Sequence, residues 1–86
     1  MATLIKTNGK VSTVKPKNGK KFTLPELQGF VGGHITRIAV NYFGVPHDLI
    51  VNEGAKRHSL PSNIGASIVA RQPIVGDALI VKEGEW

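Results

Sequence analysis

The run Leu27-Gln28-Gly29-Phe30-Val31-Gly32-Gly33-His34-Ile35 constrains this chain more than any other, because a short apolar helix must stop on two glycines and a strand must begin at once. Ahead of it stand Thr23 and Glu26, at the spacing of a reciprocal capping box in which each side chain takes the other residue's amide. Pro25 suits the first turn, where its missing amide hydrogen has no intrahelical partner to lose. Leu24, Leu27 and Val31, with Phe30 alongside, recur at helical spacing and give one apolar face about two turns long. Gly32 can take the left-handed conformation that closes a helix, and Gly33 lets the chain swing into the strand. A helix this short does not hold by itself in water, so the segment 23–33 predicts a helix packed on a sheet.

The remaining chain alternates turn and strand signals. Asn8-Gly9 and Asn18-Gly19 are hairpin dipeptides, since both central positions of such turns need positive φ. They divide residues 1–22 into strands near 2–7, 10–15 and 20–22, with Pro16 ending the second. Residues 34–43 are rich in Ile, Thr, Val, Tyr and Phe and read as a long central strand. Its faces alternate, with Thr36, Ile38, Val40 and Tyr42 on one and Ile35, Arg37, Ala39, Asn41 and Phe43 on the other.

Gly44 to Asp48 reads as a loop around Pro46. A hairpin with strands near 49–53 and 56–60 then turns on Gly54-Ala55, pairing Glu53 with Lys56, Asn52 with Arg57, Val51 with His58 and Leu49 with Leu60. Ser62 or Asn63 caps a second helix through Ala70, and Gly76-Asp77 turns into an internal strand, Ala78 to Lys82. The expected fold is a single compact α+β domain over residues 1–86, a twisted, mainly antiparallel sheet with two short helices. Its parts are a hairpin region (1–22), a helix (23–33), a central strand and hairpin (34–60), and a short helix with the last strand (61–86).

With 86 residues the chain can bury one small core. It has no cysteine, hence no disulfide framework and no thiolate chemistry. No apolar run approaches a membrane span, and the start Met-Ala-Thr-Leu-Ile-Lys is too short for a signal peptide. The expected setting is therefore soluble and intracellular, away from membrane. The net charge is +5, and Lys6, Lys10, Lys15, Lys17, Lys20 and Lys21 all precede the first acidic residue, Glu26. Such asymmetry favours an anionic partner, namely nucleic acid, a nucleotide or an acidic protein surface. Equally, hairpin lysines are ordinary solvated residues that keep edge strands from pairing.

Five blocks carry a resemblance: Phe22-Thr23-Leu24-Pro25-Glu26-Leu27-Gln28, Val31-Gly32-Gly33-His34-Ile35, Val51-Asn52-Glu53-Gly54, Leu60-Pro61-Ser62-Asn63 and Val75-Gly76-Asp77-Ala78-Leu79-Ile80-Val81. In order and spacing they resemble an uncharacterised family of small phage and mobile-element proteins, domain of unknown function 3846. The resemblance spans roughly residues 20–83. It implies an α+β fold and a phage or prophage origin, and it supplies no activity and no catalytic residues. One departure lies after Asn52-Glu53, where the family commonly has a second acidic residue before glycine and this chain proceeds directly to Gly54-Ala55.

Chemistry-bearing side chains are few. His34, His47 and His58 form no short-spaced ligand pair, so no metal site is expected. Ser59 and Ser62 have no evident base and orienting carboxylate, since nothing in the sequence brings Asp48 or Asp77 to them. The glycines of Gly29-x-x-Gly32-Gly33 end a helix, whereas a phosphate cradle precedes one. The candidate anion site is the start of the second helix, where Ser62 and Asn63 would present amides and Asn52, Lys56, Arg57 and His58 would converge, with Arg37 and Arg71 added if sheet order allows. Thr23, Glu26, Gly32, Gly33, Gly54 and Gly76 are expected to be structural. The aromatics do not match paired stacking positions on adjacent strands, and no long basic helix suggests major-groove reading.

These readings converge on a non-catalytic protein, with no cofactor, that acts by binding. It would take an anionic small molecule such as a signalling nucleotide, or cover a host protein, as a counter-defence factor would. A small basic nucleic-acid-binding regulator is the alternative, and a homo-oligomer is compatible with either.

Overall fold

The computed structural model describes residues 1–55 and 57–86. The elements follow as β1 (Ala2–Ile5), β2 (Val11–Val14), α1 (Leu24–Val31), β3 (Ile35–Tyr42), β4 (Val45–Asn52), α2 (Ile64–Ala70) and β5 (Ala78–Lys82). The strands form one antiparallel sheet in the order β2-β1-β5-β4-β3. The last strand in sequence thus joins the first hairpin to the second. Its run Ala78-Leu79-Ile80-Val81 is wholly buried, as expected of a strand covered on both faces.

One helix covers each face. On the α1 side Leu27 and Val31 pack with Ala2, Leu4, Phe22, Ile50, Leu79 and Val81. On the α2 side Ala66 packs with Ile5, Leu49, Val51, Ile74, Ala78 and Ile80. The result is a helix, sheet, helix sandwich of the α+β class.

The α1 termini are those the sequence predicts. Thr23 Oγ1 accepts from the Glu26 amide at 3.4 Å, and Glu26 Oε1 accepts from the Thr23 amide at 3.0 Å. Glu26 Oε2 also accepts from the Lys17 amide at 3.0 Å, which ties the preceding loop to the helix. The Thr23 and Lys17 amides hold the Glu26 carboxyl below its ordinary value of 4.5. Gly32 closes the helix at φ 81°, its amide and that of Gly33 both donating to the Gln28 carbonyl. At the other end of the chain, partial burial pushes the Glu85 carboxyl up, but bonds from the Met1 ammonium and the Lys82 amide outweigh it and hold the group below its ordinary range.

Four local expectations are corrected. Residues 20–22 form no strand: the Asn18 side chain takes the Lys20 and Lys21 amides, and the Phe22 amide donates to the Glu85 carbonyl. Residues 44–48 are not a loop. Phe43 and Gly44, at φ 52° and 76°, make a two-residue turn, and β4 begins at Val45. Pro46 is tolerated because the β4–β5 ladder starts at His47, so the proline has a strand on one side only.

β3 is an edge strand rather than a central one, covered by α2 on the Ile38, Val40 and Tyr42 face, while Arg37, Ala39 and Asn41 stay exposed. The hairpin about Gly54-Ala55 does not form among the described residues. Both sides of β4 are occupied, by β3 and β5, so residues 57–60 have no strand to join. They turn instead, with the His58 amide on the Gly54 carbonyl and the Leu60 amide on the Ala55 carbonyl. None of the described members of the expected cross-strand pairs is paired in that way.

Candidate ligand cleft

The end of the sheet where α1 finishes is organised by Asn52, the last residue of β4. Its Nδ2 donates to the Val31 carbonyl at 3.1 Å, and its Oδ1 accepts from the Gly54 amide at 2.8 Å. One buried side chain therefore fastens the helix C-terminus to the segment that follows β4. A neighbouring backbone bond, Glu53 amide to His34 carbonyl at 2.7 Å, closes the same junction.

Two clefts meet across this junction and share Gly32, Asn52 and His58 in their walls. The first, about 330 Å³, is polar and is lined by His34, Glu53 and Arg57 besides the shared residues. The second, about 450 Å³, runs over Phe30, Val31, Leu60 and Pro61 toward Thr7 and Asp77. Asp77 is fixed there by the Thr7 amide at 3.0 Å. The His58 ring lies against Gly54, where a Cβ would come 3.2 Å from its Cδ2. Gly76, at φ 81°, faces Leu60, whose Cδ1 would lie 3.0 Å from an added Cβ.

Of the residues singled out from sequence, Asn52, Arg57 and His58 are brought together here. Lys56 lies outside the described residues. Arg37 is remote, bonded to the buried Asp48 at 3.2 Å, whose other oxygen accepts from the Trp86 indole. Arg71 ends α2 at φ 56°, beside Ala39, Val40 and Asn41. Ser62 is exposed and bridges to Val75.

Asn63 does cap α2, but it is fully buried and all its polar atoms are used. Oδ1 accepts from the Ala66 amide, and Nδ2 donates to the Ile5 and Gly76 carbonyls, each at 2.9 Å. The expected anion site at the start of α2 is thereby corrected. The cap faces inward, and the site residues that do gather belong to the end of α1 and the turn after β4. Thr23, Glu26, Gly32, Gly33, Gly54 and Gly76 hold the structural positions described above. His47, expected in a loop, is in β4 with Nδ1 2.8 Å from the Val45 carbonyl oxygen. Among the described residues, no group of three His, Asp or Glu side chains is close enough to hold a metal ion.

Sequence reasoning did not place His34, Glu53, Thr7 or Asp77 at a site. For His34, Glu53 and Asp77 the signal was available in the blocks that carry the resemblance, since those ending in His34-Ile35 and Glu53-Gly54, beginning at Leu60-Pro61 and containing Gly76-Asp77 all reach these two clefts; Thr7 lies outside the blocks. A family model described as Domain of unknown function (DUF3846) matches residues 1–86. No curated protein and no solved structure matches the chain.

Proposed function

The chain belongs to the DUF3846 family, and from that premise we propose that it is a non-catalytic binding protein that sequesters a small anionic ligand of nucleotide chemistry. The observation that carries this reading is the continuity of the two clefts at the Gly32, Asn52 and His58 wall. A ligand joining a flat apolar ring to an anionic group has a place for each part. The ring lies over Phe30, Leu60 and Pro61, and the anion meets Arg57, with His34 and His58 as further donors. In a phage or mobile-element protein, removal of a signalling nucleotide is counter-defence, and the protein would act in the host cytoplasm.

A second reading rests on a separate observation. Lys6, Lys10, Lys15, Lys17, Lys20 and Lys21 are all exposed along the first hairpin and the loop after it, a surface that a small nucleic-acid-binding regulator would use. Calorimetry with linear and cyclic nucleotides separates the two. Ligand sequestration requires Arg57→Ala to weaken binding by about 1.5–3 kcal/mol, the worth of a charge-assisted contact, with Lys6→Ala/Lys10→Ala near wild type. Binding of arbitrary DNA or RNA that falls steeply with salt and depends on those lysines favours the regulator. Absence of heat with every nucleotide overturns sequestration, and a host protein that co-purifies would put inhibition by surface cover in its place.

A further inference from the structure

The two edges of the sheet are unlike. β2 is four residues long and is flanked by Lys10 on one side and by Lys15, Pro16 and Lys17 on the other, the devices that keep an edge from pairing. β3 is eight residues long, has no proline, and carries one charge, Arg37, which is paired with Asp48 at 3.2 Å. Nothing on β3 blunts its edge. Val69, Ala70 and Arg71 stand beside it, leaving a groove of about 270 Å³ along Ala39, Val40 and Asn41.

The hydrogen-bond phase of β3 follows from its neighbour. The His34 carbonyl accepts from the Glu53 amide across the β3–β4 register. Polar backbone groups of an antiparallel strand alternate sides residue by residue. The even-numbered residues therefore bond β4, and Ile35, Arg37, Ala39 and Asn41 direct their amides and carbonyls outward, where they have no backbone partner among the described residues.

We propose that β3 pairs antiparallel with β3 of a second copy of this chain, about a two-fold axis at Ala39, to give one continuous sheet across the dimer. Four features select a second copy and this register. An axis at Arg37 would set two guanidinium groups opposite each other, whereas an axis at Ala39 sets Arg37 opposite Asn41. The same axis matches Ile38 with Val40 and Thr36 with Tyr42 on the face beneath α2, where Ile38, Val40 and Tyr42 are only partly buried in one chain. It also carries Phe43, which is 89% exposed, toward Ile35 of the second copy. Lys6, Lys10, Lys15 and Lys17 border β2 at the opposite edge, so two chains of net charge +5 meet away from their lysine-rich edge.

Sedimentation equilibrium on wild type and Ala39→Lys tests the proposal. The wild type is expected at twice the 9.2 kDa chain mass. Ala39 is exposed, so Ala39→Lys should keep the circular dichroism and unfolding of a folded chain while raising the dimer dissociation constant at least tenfold. As a second measurement, Ala39→Cys introduces the sole thiol of the chain at the axis. Facing residues of a hydrogen-bonded antiparallel pair lie about 5.5 Å apart, within disulfide reach, so mild oxidation should convert Ala39→Cys to covalent dimer. Thr13→Cys on β2 should convert far more slowly. A wild-type monomer at all concentrations, a dimer indifferent to Ala39→Lys, or equal conversion of Thr13→Cys would each overturn the pairing.

Discussion

Gly33 is packed against Asn52 so closely that a Cβ on the glycine would come 3.0 Å from Asn52 Nδ2, the nitrogen that donates to the Val31 carbonyl. Its neighbour Gly32 has open space around it and a φ of 81°. The two glycines are therefore required for different reasons, one for contact and one for backbone conformation.

That difference is measurable as a double-mutant cycle. Gly33→Ala is expected to destabilise the wild type by about 1–3 kcal/mol, the range for forcing extra volume into a packed site, and to cost almost nothing in an Asn52→Ala background. Gly32→Ala should cost about 1–2 kcal/mol in both backgrounds, because left-handed strain is independent of the neighbour. Equal coupling of both glycines to Asn52 in urea unfolding would contradict this division.

Asn63 offers a sharper test of its inward role. Aspartate caps helices as well as asparagine does, so a cap alone predicts a small effect for Asn63→Asp. The structure predicts a loss of at least about 2 kcal/mol, because the Ile5 and Gly76 carbonyls lose their donor and the new carboxylate is buried. A chemical-denaturation difference below about 1 kcal/mol would assign Asn63 to capping only.

Stability should fall in acid. The Glu26 carboxyl is held below its ordinary value by the Thr23 and Lys17 amides, so its contribution is complete above 4.5 and is lost as pH drops through the depressed folded value. Glu26→Gln keeps the capping box and should flatten the stability profile below 4.5, with the residual slope belonging in part to Glu85, whose folded value is also lowered. Parallel profiles for wild type and Glu26→Gln would remove Glu26 from the account.

Phe43 occupies a left-handed position, φ 52°, that hairpin turns normally give to asparagine before glycine. Phe43→Asn relieves about 1 kcal/mol of strain. It gives up an edge-on contact with Tyr42 at 4.6 Å that is worth less at an exposed site than the about 0.5–1.5 kcal/mol of well-packed aromatic pairs. Thermal unfolding at concentrations where the chain is monomeric should show Phe43→Asn the more stable; a lower melting temperature would mean that the ring contributes more than its backbone costs.

What the sequence determined by itself was local. Thr23, Glu26 and Gly32 specify both ends of α1 through bonds between near neighbours, and Asn63 specifies the start of α2 in the same way. The apolar run Ala78 to Val81 announces a strand buried on both faces because side chains alternate across a strand. Tertiary structure decided everything that depended on which strands meet. Placing β5 between β1 and β4 fills both sides of β4, which leaves residues 57–60 to turn rather than pair, and puts β3 at the edge. Asn52, Arg57 and His58 share a wall with His34 for the same reason, since strand order carries the end of α1 to the end of β4. Strand order is fixed by the combined burial of two opposite faces, a property that no window along the chain contains.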